Sequence, residues 1–178
     1  MSLPPANTTF SRRTLVVLME DKPGVLSHVS NLFRRRNYNI ESLTVGHSET
    51  PGISRMTVVV YANDAMLEQV AKQLYKLINV TKVSEVDTDE AVMRELALIK
   101  VHAPSERRAE IKQVVDIFRA QIIDVALDSM VIEITGDESK VESLISILKP
   151  FGIKELTRTG RVAMVRGSLT SSGTRFGS

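Results

Sequence analysis

The segment EDKPGVLSHVSNLFRRRNYNIESLTVG, residues 20–46, contains parts of three consecutive elements and the signals that separate them. Just before it, the apolar run TLVVLME (14–20) has the length of a strand and ends at the turn-forming sequence DKPG. Apolar residues then recur at spacings of three and four, as on one face of a helix; they are Val25, Leu26, Val29, Leu32 and Phe33. The segment therefore predicts a strand, an amphipathic helix with Pro23 in its first turn, and a second strand.

The rest of the first half completes a familiar order of elements. NIESLTVGHS and ISRMTVVVYA are two strand-like runs joined by ETPG, a sequence suited to a turn. A helix is predicted over 64–78, and VTKVSEVD follows as a fourth strand. The order strand, helix, strand, strand, helix, strand predicts an antiparallel sheet with both helices on one face, the ferredoxin-like arrangement.

The second half repeats this order after the polar connector DTDEA. The predicted fold is therefore α+β, with two ferredoxin-like βαββαβ domains over 13–88 and 93–166. The ends, 1–12 and 167–178, are poor in apolar residues and are expected to be flexible. Only the architecture recurs, because the corresponding loop of the second half, APSERRAE, lacks the acid-X-Pro-Gly sequence.

Composition excludes several classes of function. The 178 residues carry a formal net charge of only +2, so no broad field of one sign favours nucleic acid or a membrane surface. The absence of cysteine removes disulfides and thiolate chemistry, and fits a reducing compartment. No signal peptide and no apolar run of membrane-spanning length is found. A cytoplasmic protein without a membrane partner is expected.

The loop before the first helix has the chemistry to hold an α-amino acid. A helix N-terminus binds a carboxylate through free N–H groups, and Gly24 lets a ligand approach closely. Asp21 accepts from an ammonium group, and Asn39 offers both a donor and an acceptor. The loop and Asn39 approach each other only if a neighbouring strand or a second chain closes the gap, so a dimer interface is expected. The alternative is a purely structural helix start, with Asn39 capping a strand.

The segment 20–46, followed by SRMTVVV, EQVAKQLYKLINVTKVSEV, RELALIKV and FRAQIIDV, resembles the small regulatory subunit of acetohydroxyacid synthase, also called acetolactate synthase, with its N-terminal ACT domain. The resemblance covers nearly all of residues 14–167. It implies a non-catalytic subunit that activates a separate catalytic large subunit and confers feedback inhibition by valine or another branched-chain amino acid. It implies no cofactor on this chain, with thiamine diphosphate, FAD and magnesium on the catalytic partner.

The resemblance also implies which residues bind the effector. They are Asp21, Gly24, the N–H groups of Val25 and Leu26, and, across a homodimer of ACT domains, Asn39 with its neighbour Ile40. Many members have Asn where this chain has Asp21, so the charge is expected on the ammonium side of the ligand. Members commonly have Gly where this chain has Asn37, which accepts the same left-handed backbone.

Three other classes of function compete with this interpretation. No catalytic or metal-binding constellation links His28, His47 and His102, which argues against an independent enzyme. RNA binding on the sheet lacks the aromatic side chains such a platform uses, and the run Arg34–Arg36 suits the last turn of a helix. A free-standing ACT-type sensor that regulates a different protein stays open from the loop alone.

Overall fold

The computed structural model describes residues 9–167, and these form two compact units. Within the described residues, the first unit comprises 9–92 together with 161–167, and the second comprises Met93–Gly160. The outer parts of the predicted flexible ends, residues 1–8 and 168–178, lie outside the described residues. Ser11 and Arg12, predicted to be flexible, instead belong to the first strand, because they pair with Ala62 and Tyr61.

The first unit is a four-stranded antiparallel sheet with two helices, which confirms the predicted ferredoxin-like fold. Its strands lie in the order β2–β3–β1–β4, so β2 is an edge strand. Buried apolar side chains of both helices pack with the strands into one core. The elements are β1 (Ser11–Glu20), α1 (Val25–Arg35), β2 (Ile40–His47), β3 (Ile53–Ala62), α2 (Asp64–Tyr75) and β4 (Val80–Val86).

The first helix differs from the prediction at its start and agrees with it at its end. α1 begins at Val25, so Pro23 lies in the preceding turn and not in the helix. The residue between them, Gly24, has φ +86°, and this left-handed backbone delays the helix by one residue. At the other end, Asn37 adopts φ 55°, as predicted, and the Tyr38 N–H donates to the Phe33 carbonyl in a Schellman-like ending.

The second helix is capped by a side chain but is shorter than predicted. Asn63 precedes it and accepts the Met66 N–H at 2.9 Å through its side-chain oxygen. α2 ends at Tyr75, not at Ile78, because the next amides bond three residues back in a tighter turn. Leu77 still packs against the core, whereas Ile78 is 95% exposed.

The helix-free face of the first sheet is covered by the segment 161–166, which belongs to the same unit. The Arg161 guanidinium donates to Thr14 Oγ1 at 3.2 Å, and the Arg161 backbone N–H donates to Ser42 Oγ at 3.0 Å. Arg55 donates to the Ala163 carbonyl at 2.9 Å. Thr14, Val16, Thr57, Val59, Ser84 and Val86 are buried on this face. The sheet therefore offers no open platform for RNA bases.

The second unit repeats the ferredoxin-like order with its own core. Its main strands lie in the order β6–β7–β5–β8. Gly152, with φ +89°, follows the last helix and the short 3-10 turn Lys149–Phe151. The elements are β5 (Ala91–His102), α3 (Arg108–Ile117), β6 (Gln121–Val125), β7 (Ser129–Gly136), α4 (Glu138–Leu148) and β8 (Ile153–Arg158); β9 (Val162–Val165) follows in the segment that belongs to the first unit.

Candidate functional site

The loop between β1 and α1 presents free backbone donors at a helix start. No side chain caps α1. The Val25 N–H makes a long bond of 3.3 Å to the Lys22 carbonyl, while within residues 9–167 no acceptor lies against the Leu26 and Ser27 N–H groups. These amides and the helix dipole together favour a carboxylate. Val25 is buried and anchors the helix, whereas Leu26 is 42% exposed beside the opening.

Gly24 gives this loop its shape. A Cβ built on Gly24 meets no atom within 4 Å, so the space in front of the helix start is open. The backbone angle, φ +86°, lies in the left-handed region that residues with a Cβ rarely adopt. The glycine is therefore required by the backbone conformation, and its missing side chain leaves the amides accessible.

Asp21 stands at the mouth of the loop with its carboxylate held in place. Ser54 Oγ donates to Asp21 Oδ1 at 3.2 Å, and His47 Nδ1 lies 3.2 Å from Asp21 Oδ2. The Asp21 N–H donates to the Gly52 carbonyl at 2.8 Å. The side chain remains 45% exposed, so one side of the carboxylate is available to an ammonium group.

His47 and Ser54 are contacts of Asp21 that the sequence analysis missed. They face each other across the β2–β3 hairpin, and Ser54 lies next to Ile53, which pairs with Glu20 at the end of β1. Aligning the hairpin about the turn at 48–52 brings both residues beside Asp21. The strand register, which local patterns do not supply, is the signal that finds them.

Asn39 and Ile40 lie at the opposite end of the sheet from the loop. Ile40 pairs with Val60, whereas His47, at the other end of β2, pairs with Ser54. The eight residues from Ile40 to His47 are separated by seven steps, which span about 23 Å at the rise of a strand. Asn39 is exposed and donates to Glu41 Oε1 at 2.8 Å. One chain therefore brings Asp21, Gly24, Val25 and Leu26 together but does not bring Asn39 or Ile40 to them.

The corresponding loop of the second unit is closed by a side chain. The Arg108 guanidinium donates to the carbonyls of Ala103, Ala126 and Leu127, at 3.2, 2.6 and 2.7 Å. Arg107 lies over the Phe151 ring, 4.2 Å from its centroid. This helix start is thus tied to its own unit, in contrast to the open loop of the first.

Neither a metal cluster nor a membrane-spanning helix is found among the described residues. Across residues 9–167, no three His, Asp or Glu side chains converge as they would around a metal ion. In the same part of the chain, no helix has the length and apolar character needed to cross a membrane. His28 lies on α1, His47 on β2 and His102 at the end of β5.

A ferredoxin-like unit with an open glycine loop before its first helix places the chain in the class of ACT-domain proteins. Two family models agree: the AHAS small subunit-like ACT domain matches residues 15–82, and the small subunit of acetolactate synthase matches residues 94–167. The chain belongs to the family of acetolactate synthase small subunits.

Individual relatives give the same result. The chain is 58% identical over 157 residues to a probable acetolactate synthase small subunit of Archaeoglobus fulgidus, covering 88% of this chain and 98% of the relative. It is 53% identical over 154 residues to the acetolactate synthase small subunit of Mycobacterium leprae, covering 86% and 91%. The crystal structure of the small subunit from Thermotoga maritima superposes with a TM-score of 0.85 at 47% identity, covering 89% of this chain and 99% of that one. The predicted resemblance is confirmed.

Proposed function

We propose that this chain is the regulatory subunit of an acetolactate synthase, which activates the catalytic subunit and transmits feedback inhibition by valine or a related branched-chain amino acid. The observation that carries the proposal is that one loop presents groups for both a negative and a positive charge. Free amides at the start of α1 suit a carboxylate, and the fixed carboxylate of Asp21 suits an ammonium group. An α-amino acid carries both groups on one carbon atom.

The surroundings of the loop favour an apolar effector. Leu26 is exposed at the helix start, and Val45, on the edge strand β2, is 39% exposed. Apolar side chains left open beside polar anchoring groups are typical of small-molecule sites. A branched aliphatic side chain would cover such surface without leaving a polar group unpaired.

The effector site is completed by a second copy of the chain. β2 is an edge strand whose exposed side chains include Leu43 and Val45, so two copies can pair through it as antiparallel strands. If the twofold axis passes near the middle of β2, Ile40 of one copy lies beside His47 of the second copy. His47 contacts Asp21, so the pairing brings Asn39 of one chain to the loop of the other.

Inhibition then follows from a shift between two arrangements of the regulatory dimer. An effector that bridges two chains binds most tightly to the arrangement in which both contribute. Coupling of about 1–3 kcal/mol between the effector and the catalytic subunit is typical of such linkage. Thiamine diphosphate, FAD and magnesium belong to the catalytic subunit in this proposal.

The first test is a thermal melt of the purified chain with valine, leucine or isoleucine, and with lysine as the control. A ligand at 100 times its Kd adds about 2.7 kcal/mol to the folded state, enough to raise the midpoint by several degrees. A rise with the branched-chain amino acids and none with lysine is expected. The chain is then added to the purified catalytic subunit, where it should raise acetolactate formation and make it sensitive to the same amino acid. Equal midpoints with all four amino acids, together with unchanged catalytic activity, would contradict the proposal.

A further inference from the structure

A second concave site lies on the helices of the first unit, away from the effector loop. The cleft has a volume of about 510 Å³ and is lined by Leu32, Arg35 and Arg36 at the end of α1 and by Gln73, Lys76 and Leu77 at the end of α2. Clefts that bind small molecules commonly have volumes of about 300–1,000 Å³. α1 has 11 residues, so the cleft lies about 16 Å along this helix from Gly24.

The cations of the cleft are not neutralised within the described chain. Over residues 9–167, no carboxylate forms an ion pair with Arg35, Arg36 or Lys76. Lys72, one turn before Lys76, differs because it pairs with Glu68 at 2.6 Å. Each helix C-terminus contributes about half a negative charge, so three cations still leave roughly two positive charges at the cleft.

The cleft also has an apolar wall and an amide. Leu32 is buried in the core of the unit, and Leu77 packs against that core while lining the cleft. Gln73 adds a side-chain amide, which both donates and accepts hydrogen bonds. A simple inorganic anion would use the cations and leave the exposed part of Leu77 uncovered.

We propose that this cleft binds an organic phosphate, with the phosphate group held by Arg35, Arg36 and Lys76 and the less polar body against Leu77. The planar guanidinium groups match the geometry of phosphate oxygens, and Lys76 adds a point charge. The ligand differs from the effector in charge and in place, so the regulatory unit has two separate sites. The effector loop and the cleft lie at opposite ends of α1. Binding of the organic phosphate would therefore act on the same helix as the effector.

The test compares inorganic phosphate with phenyl phosphate, which carries the same charge and an apolar ring. Both are titrated into the isotopically labelled full-length chain, and the backbone amide signals are followed by NMR. The amides of Arg35, Arg36 and Lys76 are expected to shift. Phenyl phosphate is expected to bind about tenfold more tightly than inorganic phosphate, because its ring covers apolar surface.

Two matched variants locate the site. Arg35→Gln removes a cation that lines the cleft and is expected to weaken phenyl phosphate binding about tenfold. Arg34→Gln removes an exposed cation from the same turn that does not line the cleft, and is expected to change binding less than twofold. Equal affinity for the two phosphates, equal effects of the two variants, or no shift of the cleft amides would each overturn the proposal.

Discussion

Gly24→Asp is expected to abolish effector binding while leaving the fold and the activation of the catalytic subunit intact. The backbone cost of a side chain at φ +86° is about 1–2 kcal/mol, and no steric cost is added because a Cβ at this position meets nothing within 4 Å. The protein is therefore expected to fold, with its midpoint lowered by several degrees. The new carboxylate occupies the space in front of the free amides, where it competes with the carboxylate of the effector.

The loss of effector affinity follows from the same geometry. Two hydrogen bonds from the Leu26 and Ser27 amides to a charged group, each worth about 1.5 kcal/mol, are lost, which corresponds to a weakening of about 100-fold. Isothermal titration with valine measures the change, and assays with the catalytic subunit show whether activation persists while inhibition disappears.

Gly152→Asp is the matched control. Gly152 has a similar backbone angle, φ +89°, and its added Cβ makes only an ordinary contact of 3.6 Å with the Cβ of His102 in the second unit. Its ψ of 94° lies outside the left-handed helical region, so the loss of stability should be at least as large, while valine affinity should be unchanged. A folded Gly24→Asp protein that binds valine as tightly as the original would refute the assignment of the loop.

Three further variants test the interface and the packing of the units. Val45→Lys places a charge on the exposed edge strand and is expected to give a monomer by analytical ultracentrifugation, with loss of valine binding. Arg13→Ala removes the ion pair between Arg13 and the nearly buried Glu85 and is expected to lower the free energy of unfolding by about 1–3 kcal/mol in urea. Asp137→Ala removes the cap of α4, whose carboxylate accepts the Lys140 N–H at 2.8 Å, and is expected to cost about 1 kcal/mol at pH 7.

The cost in stability of Asp137→Ala is expected to depend on pH. The hydrogen bond from Lys140 lowers the pKa of Asp137, so the stabilisation is present above the ordinary pKa of the carboxyl and is lost as the pH falls through the lowered value. The difference between Asp137→Ala and the original chain should shrink below about pH 4. Asn63→Ala removes a neutral cap from α2, and its cost should not follow that titration.

Controls for the other two variants use more exposed sites. Ile78→Lys changes a side chain that is 95% exposed and should leave the dimer intact. The Arg12 guanidinium lies 4.0 Å from Glu41 on the surface. Arg12→Ala should therefore lower the free energy of unfolding by less than about 0.5 kcal/mol. A dimeric Val45→Lys protein would contradict pairing through β2. Equal costs for Arg13→Ala and Arg12→Ala would show that the ion pair of Glu85 is not stabilising.

The sequence predicts the elements well because their signals are local. The apolar face of α1, the left-handed Asn37 and the end of α4 before Gly152 each depend on a few adjacent residues. The start of α1 was misplaced because Pro23 suits both a first helical turn and the turn that precedes one. The early start of β1 depends on pairing with the end of β3, which no local pattern contains.

Only the part of the site that lies within one stretch of sequence could be predicted. The helix start and Asp21 are adjacent in sequence, so their chemistry is readable from the loop itself. Ser54 and His47 join Asp21 only through the register of three strands. The distance between Asn39 and the loop likewise follows from strand order, which makes a second chain necessary for any site that contains both.

Mixing two defective variants shows whether each effector site combines the loop of one chain with Asn39 of another. Gly24→Asp and Asn39→Ala proteins are purified separately, mixed under conditions that exchange subunits, and titrated with valine. In a twofold-symmetric dimer, each mixed dimer contains one site in which both contributions are intact. High-affinity binding is expected to return at about a quarter of the original stoichiometry, since about half of the dimers are mixed. No return of binding, in a mixture shown to have exchanged subunits, would contradict a site shared between chains.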